Sequence, residues 1–127
     1  FCDDSIVRGT QLKDNTADLK KAGAAEVHMR IACPPLTFPC DFLNFSQSRS
    51  TLELASRKAI EKLEGSEKDL REYALPSSEK YRAMVEQIAL DMGIDSLIFQ
   101  DLNDLVAAIG LPKEQLCTHC WDGSSYY

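Results

Sequence analysis

The start of the chain constrains the fold more than any other feature, because a short loop stands there between a strand pattern and a helix pattern. Phe1 to Asp3 predict the last part of a buried strand, and Ser5 to Gly9 predict the loop. Thr10 predicts the cap of a helix that runs to about Ala22. Apolar and polar side chains then alternate over Glu26 to Ala32, which is the period of a strand. This order predicts a βαβ unit with parallel strands and a right-handed crossover.

The residue types of the loop suit a sugar phosphate. Asp3 and Asp4 would accept hydrogen bonds from ribose hydroxyls and help to hold a divalent cation. Backbone N–H groups from Ser5 to Thr10 suit a phosphate, and Gly9 permits a close backbone approach. In open parallel sheets, ligands bind at the carboxyl ends of the strands, where this loop is predicted. The alternative is an ordinary loop and an ordinary helix start, because acids and glycine are common at strand ends.

After the second strand, the sequence predicts mainly helices. Pro34 and Pro35 end that strand, because proline cannot continue a central ladder. The predicted elements that follow are an irregular stretch over 37–50, a helix over 51–63, a polar surface linker or mobile insert over 64–76, a helix capped by Ser77 or Ser78 and ended at Gly93, a short extended segment over 96–99, a helix from Asp101 to Ile109, and a loop-like end over 117–127.

The composition restricts the class of protein. The 127 residues, 44% of them hydrophobic and 27% charged, are typical of one soluble globular domain. The net charge of −6 argues against a nucleic-acid groove and against a polybasic membrane patch. No apolar run approaches the roughly 20 residues that span a bilayer. Because the chain does not begin with Met, we expect it to be a piece of a longer protein.

The five cysteines favour thiols or metal ligands over disulfides. Their odd number argues against a disulfide framework and for a reducing, cytoplasmic location. Cys117 and Cys120 form a C-x-x-C pair, which by itself is typical of zinc, iron–sulfur or redox sites. Since one such pair supplies two ligands and a metal site normally needs four, Cys40 is the candidate for a third. We expect Cys2 and Cys33 to be buried structural thiols.

The string Asp-Asp-Ser-Ile-Val-Arg-Gly-Thr over 3–10 resembles the motif with which type I phosphoribosyltransferases bind 5-phosphoribosyl 1-diphosphate (PRPP). Its form is most similar to that of the amidophosphoribosyltransferase family. Further likeness to that family lies in 22–31, Pro34-Pro35, Pro39-Cys40, 94–97 and the helix before Gly110. Two positions depart from the family pattern: Gln11 stands where relatives often carry a second Thr, and Cys2 where many carry an aliphatic residue or Asp.

The resemblance implies an α/β fold, namely the C-terminal part of a type I phosphoribosyltransferase domain with a Rossmann-like parallel sheet, followed by a helical C-terminal extension. The implied division is 1–45 for the C-terminal part of the phosphoribosyltransferase core, with the PRPP loop at 3–10, and 46–127 for the extension with its Cys-x-x-Cys tail. It also implies that Asp3 and Asp4 help to hold Mg²⁺ and that the chain carries no catalytic residue beyond the loop. The residues implied to bind PRPP are Asp3, Asp4, Ser5, Ile6, Val7, Arg8, Gly9 and Thr10.

The family's reaction converts PRPP and glutamine to 5-phosphoribosylamine, glutamate and pyrophosphate in purine synthesis, so its members are glycosyltransferases. A subset carries a [4Fe–4S] cluster, and the resemblance places Cys40, Cys117 and Cys120 at three of its four ligands; the fourth is implied outside this chain. Nucleotide inhibitors and a homo-oligomer are the further partners that we expect. We expect this chain alone to be inactive.

Two alternatives stay open at this stage. The first alternative to an amidophosphoribosyltransferase is another PRPP-binding phosphoribosyltransferase or a regulatory homologue. The second is a non-catalytic interaction module that a metal stabilises. The metal content separates the readings, because iron with sulfide indicates a cluster, whereas one zinc ion without sulfide indicates the module.

Overall fold

A three-stranded sheet packed against helices makes up the fold. The computed structural model describes residues 1–43, 53–65 and 69–125. The strands are β1 (Cys2–Asp3), β2 (His28–Ile31) and β3 (Ser96–Phe99). The helices are α1 (Thr10–Lys21), α2 (Ala55–Glu64), α3 (Glu79–Met92), α4 (Leu102–Ile109) and α5 (His119–Asp122), and two short 3₁₀ helices cover Arg71–Ala74 and Lys113–Gln115.

The sheet has the strand order β1-β2-β3, and both pairings are parallel. Asp3 lies opposite Ile31, and Ile31 lies opposite Phe99, so the three strands end in line. Side chains of β2 alternate between exposed and buried, so one face of the sheet meets the core and the other faces solvent. The predicted α/β class and the strand–helix–strand unit with parallel pairing are confirmed.

The short extended segment predicted over 96–99 is confirmed as strand β3, which pairs with β2 in the sheet. It lies within 46–127, the stretch that we expected to form a helical extension and that also holds helices α2 to α5. Leu97 and Phe99 are buried on the core face, whereas Ile98 between them is 55% exposed. The expected boundary between residues 45 and 46 lies outside the described residues, so the division into two parts stays a prediction.

The core lies between the buried face of the sheet and helices α2 and α3. Helix α3 buries Met84, Ile88 and Met92, which are spaced by four residues and therefore lie on one helical face. Helix α2 contributes Ala59 and Ile60. The burial of these three residues confirms the centre of the apolar stripe that we predicted for the helix ending at Gly93.

Tyr73 anchors a segment that we expected to be a surface linker or mobile insert over 64–76. Its side chain is 1% exposed and is the largest fully buried side chain in the described part of the chain. The ammonium group of Lys80 lies 5.8 Å from the centroid of its ring. The prediction is wrong here because a single aromatic residue among charged neighbours leaves no periodic signal. Residues 66–68 of this segment lie outside the described residues.

Other differences lie at the ends of elements. Gly9, not Thr10, is the N-cap of α1, and no side chain caps this helix. Cys2 and its neighbour Phe1 are exposed rather than buried, because β1 pairs on one side only within the described structure. The predicted start of α2 at 51–52 lies outside the described residues, and the observed helix begins at Ala55. Helix α5 occupies part of the end that we expected to be loop-like.

Candidate functional site

The loop between β1 and α1 begins at the side of the sheet where the C-terminal ends of all three strands lie. Ile6, which is 3% exposed, fixes the middle of the loop in the core. The carbonyl of Val7 accepts a hydrogen bond of 2.8 Å from the N–H of Ala55, the first residue of α2. Gly9 then leads into α1 with φ 76° and ψ −3°, the left-handed conformation that favours glycine. The loop is therefore held by the core and by α2.

One cavity of about 600 Å³ is lined by the whole predicted PRPP motif. The motif residues at its wall are Asp3, Asp4, Ser5, Ile6, Val7, Arg8, Gly9 and Thr10. Because the side chain of Ile6 is buried in the core, Ile6 offers a ligand little besides its backbone. The structure thus brings together every residue predicted for PRPP binding, and the binding itself stays a prediction.

The amides of this loop fall into two groups. The N–H of Asp4 donates to Asp3 Oδ1 at 2.9 Å, and the N–H of Ser5 donates to Asp4 Oδ1 at 2.8 Å. Each carboxylate is thereby oriented by the amide that follows it. In the described part of the chain, no protein acceptor is found for the N–H groups from Ile6 to Thr10. Consecutive unpaired amides in one loop suit an anion such as phosphate.

Arg8 supports the loop from outside the core. Its Nε donates to Glu53 Oε2 at 3.2 Å, and the two side chains are 47% and 42% exposed. An ion pair this exposed contributes little to stability. Since a guanidinium stays charged, Arg8 is suited to positioning or charge compensation and not to proton transfer.

Helix α1 adds three cavity-lining residues that the motif does not contain. They are Gln11, Leu12 and Asn15. We singled out Gln11 only as a departure from the family pattern, and we missed the other two. Asn15 follows Gln11 by four residues, so both lie on one face of α1. That spacing is the signal in the sequence that would have found it.

Cys33 follows β2 at the same edge of the sheet as the acids. Its Sγ donates to the carbonyl of Pro34 at 3.3 Å. Burial raises the pKa of this thiol to about 11; the Trp121 indole opposes the rise, and the charge of Asp4 adds to it. The indole N–H of Trp121 nevertheless has no partner in full hydrogen-bonding geometry among the described residues. Cys33 is thus a partly buried, protonated thiol, consistent with a structural role.

Cys40 lies in a backbone cradle. Its side chain is 8% exposed. The N–H groups of Phe42 and Leu43 approach its Sγ at 3.4 and 3.3 Å. Two such donors stabilise negative charge on sulfur, which suits a thiolate that ligates a metal.

Cys120 is brought to Cys40 by backbone pairing. Its carbonyl accepts hydrogen bonds from the N–H groups of Thr37 and Phe38 at 3.0 and 3.1 Å. Burial raises the pKa of Cys120 to about 12, and the neighbouring Cys40 and Cys117 add to the rise. Residues distant in sequence therefore meet here, as the resemblance implied for this pair.

The predicted metal sites are only partly assembled by the described residues. Cys117 is exposed, and no group of three or more His, Cys, Asp and Glu side chains converges among these residues. Cys40 and Cys120 thus lie together and Cys117 is near enough to act on the Cys120 thiol, but the three do not converge as a set of metal ligands. Asp3 and Asp4 by themselves fit Mg²⁺, which is usually bound by one or two carboxylates together with substrate phosphates and water.

Curated relatives match nearly the whole chain. An amidophosphoribosyltransferase of Methanothermobacter thermautotrophicus is 35% identical over 121 residues, which are 95% of this chain and 20% of the relative. The chloroplastic amidophosphoribosyltransferase of Glycine max is 36% identical over 95% of this chain and 17% of its own length. A scan against models of protein families finds no match. The chain spans about one fifth of the length of the curated relatives it matches.

Solved structures agree with this relationship. The glutamine PRPP amidotransferase of B. subtilis, solved in complex with ADP and GMP, superposes with a TM-score of 0.67 at 27% identity. The superposed region covers 98% of this chain and 23% of the B. subtilis chain. A structure described as the allosteric regulatory enzyme of purine biosynthesis gives a TM-score of 0.65 at 27% identity. None of the described helices is long and apolar enough to cross a membrane. By sequence and by fold, this chain is similar to about one fifth of the length of amidophosphoribosyltransferases.

Proposed function

We propose that this chain is the PRPP-binding part of an amidophosphoribosyltransferase, which makes 5-phosphoribosylamine, glutamate and pyrophosphate from PRPP and glutamine in purine synthesis. One observation carries the proposal: two adjacent acids and a loop with unpaired amides line a single cavity of about 600 Å³. This arrangement supplies acceptors for a diol and donors for a phosphate on one wall. The relatives named above support the same function.

The proposed roles follow from the chemistry of the groups. Asp3 and Asp4 accept hydrogen bonds from the two ribose hydroxyls, and the amides from Ile6 to Thr10 donate to the 5-phosphate. Substitution at C1 of the ribose develops positive charge on the sugar, so the chain acts by holding the sugar in place and by placing carboxylates near it. Mg²⁺, when bound at Asp3 and Asp4, would offset the charge of the diphosphate.

The 127 residues are proposed to bind PRPP without turning it over. The chain spans about one fifth of its relatives, and the described cavity is lined by binding groups rather than by a nucleophile poised beside a base. We infer that glutamine hydrolysis depends on parts of the relatives outside the matched fifth. Glutamate release from glutamine by the isolated chain would contradict this inference, and transfer of free ammonia to PRPP would contradict binding without turnover.

A [4Fe–4S] cluster is a separate proposal, with Cys40, Cys117 and Cys120 as its ligands from this chain. The two amides at Cys40 and the contact between Cys40 and Cys120 support it. The exposed position of Cys117 does not, so we derive no further property from the cluster. Iron and sulfide analysis of protein prepared without oxygen tests it, and one zinc ion without sulfide would replace it with a zinc site.

Further proposed properties concern partners and location. Since the B. subtilis relative was solved in complex with ADP and GMP, we propose that nucleotides bind this protein and inhibit it. We also propose a homo-oligomer, because β1 and β3 are edge strands of the described sheet. The proposed location is the cytoplasm, for which the five free thiols are the support.

Calorimetric titration with PRPP in the presence and absence of Mg²⁺ tests the proposed function. Ribose 5-phosphate serves as a second ligand that has the diol and the 5-phosphate but lacks the diphosphate. We expect both to bind, PRPP more tightly with Mg²⁺ than without it, since the cation offsets the diphosphate charge. If neither ligand binds at concentrations of about 10 mM, the proposal is wrong.

Replacing Gly9 with alanine is expected to weaken ribose 5-phosphate binding more than its effect on stability explains. An alanine Cβ would have ordinary contacts of 3.8 Å to Ala55, Ile6 and Met92, so space is sufficient. The cost comes from φ 76°, at which a Cβ destabilises the backbone by about 1–2 kcal/mol. Relief of that strain would move the loop amides away from the phosphate.

Gly93→Ala is the matched control for Gly9→Ala. Gly93 has a similar φ of 72°, open space where an alanine Cβ would lie, and a place at the end of α3 outside the loop cavity. We expect both variants to lose similar thermal stability and only Gly9→Ala to lose ligand affinity in titration. Equal affinities in the two variants would contradict the role of the loop.

A further inference from the structure

The solvent face of the sheet carries a cluster of four polar side chains that is separate from the loop cavity. His28 and Arg30 lie on β2, Ser96 lies on β3, and Glu26 precedes β2 by two residues. His28 lies directly opposite Ser96 in the parallel pairing of the two strands. None of the four residues lines the loop cavity. The cluster therefore has no part in the proposed binding of PRPP.

Hydrogen bonds join the four side chains into one network. Ser96 Oγ lies 2.7 Å from His28 Nδ1, and His28 Nε2 lies 2.8 Å from Glu26 Oε2. Arg30 Nη1 donates to Ser96 Oγ at 3.1 Å. These distances are all within the range of well-formed hydrogen bonds. A hydroxyl, an imidazole and a carboxylate thus follow one another in the order that serine acyl-transfer triads share.

The chemistry of the partners fixes the direction of each hydrogen bond. A carboxylate only accepts, so His28 Nε2 carries the hydrogen that bonds to Glu26. In the neutral imidazole, Nδ1 is then an acceptor. A guanidinium only donates, so Ser96 Oγ accepts from Arg30 and directs its own hydrogen to His28 Nδ1. The imidazole is thereby placed to take up the proton of the Ser96 hydroxyl.

Arg30 places positive charge beside the hydroxyl of Ser96. Its Nη1 also donates to the carbonyl of Met29 at 2.7 Å, which fixes the guanidinium on the strand. Among the described residues, no acceptor is found for its Nε and Nη2 groups. These N–H groups can donate to an oxyanion that develops next to Ser96.

The cluster is open to solvent, and this restricts the kind of substrate. The side chains of His28 and Glu26 are 49% and 68% exposed, and Ser96 is half-buried. Ile98, two residues after Ser96 on the same face of β3, is exposed. An open site with one apolar neighbour suits a small ester whose apolar group covers Ile98.

We propose that Ser96, His28 and Glu26 form an esterase centre that hydrolyses small carboxylic esters with an apolar group. Ser96 Oγ bonds to the ester carbonyl carbon while its proton moves to His28 Nδ1. The bond from that carbon to the alcohol oxygen then breaks, and the alcohol leaves with the proton. Water attacks the acyl-serine in the same way, which releases the carboxylic acid and restores Ser96. Glu26 is a positioning residue, since it acts through the His28 ring.

Hydrolysis of 4-nitrophenyl acetate by the chain tests the esterase centre. We expect mass spectrometry of peptides from the reacting chain to find an acetyl group on Ser96. Release of nitrophenolate is expected to fall about 100-fold in Ser96→Ala and in His28→Gln, because general base catalysis of attack by this hydroxyl is lost. Glutamine at position 28 can still bond to Ser96 but cannot take up its proton.

Two matched controls are available in the same chain. Ser77 is an exposed serine outside the cluster, and His119 is the second histidine of the sequence. Ser77→Ala and His119→Gln are expected to keep the rate of ester hydrolysis. A chain without acetyl on Ser96, equal acetylation of Ser96 in His28→Gln, or equal rates in Ser96→Ala and Ser77→Ala would overturn the proposal.

Two further readouts separate catalysis from a structural hydrogen-bond network. In Glu26→Gln, the amide oxygen still accepts from His28 Nε2 but lacks the charge, so kcat is expected to fall about tenfold at unchanged KM. In His28→Ala, added imidazole is expected to restore acetylation of Ser96, because it replaces the missing base. Failure of imidazole to restore it, or an unchanged kcat in Glu26→Gln, would contradict the assigned roles.

Discussion

Asp3→Asn/Asp4→Asn is expected to weaken ribose 5-phosphate binding by at least about 100-fold, because hydrogen bonds to two charged groups are lost and each contributes about 1.5–3 kcal/mol. The fold is expected to survive, since an asparagine oxygen can still accept the N–H of the following residue, as each carboxylate does at 2.8–2.9 Å. Titration calorimetry measures the affinity, and thermal unfolding measures the stability of the same samples.

Asp14→Asn is the matched control for the acid pair. Asp14 is an exposed acid on α1 that does not line the loop cavity. Its replacement changes the net charge of the chain by one unit but is expected to leave the affinity within about twofold, as surface substitutions away from a site usually do. Unchanged binding in the double variant would show that the acids do not hold the sugar.

Tyr73→Ala is expected to lower the free energy of unfolding by about 3–5 kcal/mol, the usual cost of truncating a buried aromatic side chain. The 3₁₀ helix Arg71–Ala74 packs on the core chiefly through this residue, which is its one buried side chain. Since α3 follows soon after this helix, the loss would also loosen the first turn of α3. Urea unfolding, followed by circular dichroism, measures the difference.

Leu75→Ala provides the comparison within the same segment. Leu75 is apolar but 53% exposed, so its truncation is expected to cost less than about 1 kcal/mol. Similar and small effects of Tyr73→Ala and Leu75→Ala would mean that the segment does not pack on the core in solution. The comparison separates a buried anchor from a polar linker.

Local signals in the sequence predicted local structure well. The alternation of β2 agrees with its burial pattern, and Ser78 caps α3 by accepting the N–H of Tyr81 at 3.0 Å. Asp101 likewise accepts the N–H groups of Asn103 and Asp104 at the start of α4. Each of these features depends on residues within a few positions of one another, so the sequence contains the whole interaction.

Features that depend on distant residues were not predictable in this way. The pairing of β3 with β2 joins residues 28–31 to 96–99, and neither strand specifies its partner by its own pattern. The burial of Tyr73 depends on what packs around it. Lys13 of α1 and Lys58 of α2 likewise line one groove, and only the packing of those helices brings the two residues together.

Residues of the candidate site that are consecutive in the sequence were predicted, whereas those separated from the motif were missed. The eight motif residues are consecutive, so a single string identified them, and they line one cavity. Asn15 is separated from the string and was missed, although its spacing from Gln11 places it on the same helix face. The cysteines show the opposite limit: the meeting of Cys40 with Cys120 depends on the pairing of the Cys120 carbonyl with Thr37 and Phe38.

The aligned ends of the three strands separate two kinds of residue by position. The buried side chains of β2 and β3 build the interior, whereas Asp4, Cys33 and Gln100 follow the strands and share one rim. Substitution along that rim can alter which molecule is accepted while the packed layer beneath keeps its composition. Selection for a new ligand and selection for a stable scaffold would therefore act on different codons of this chain.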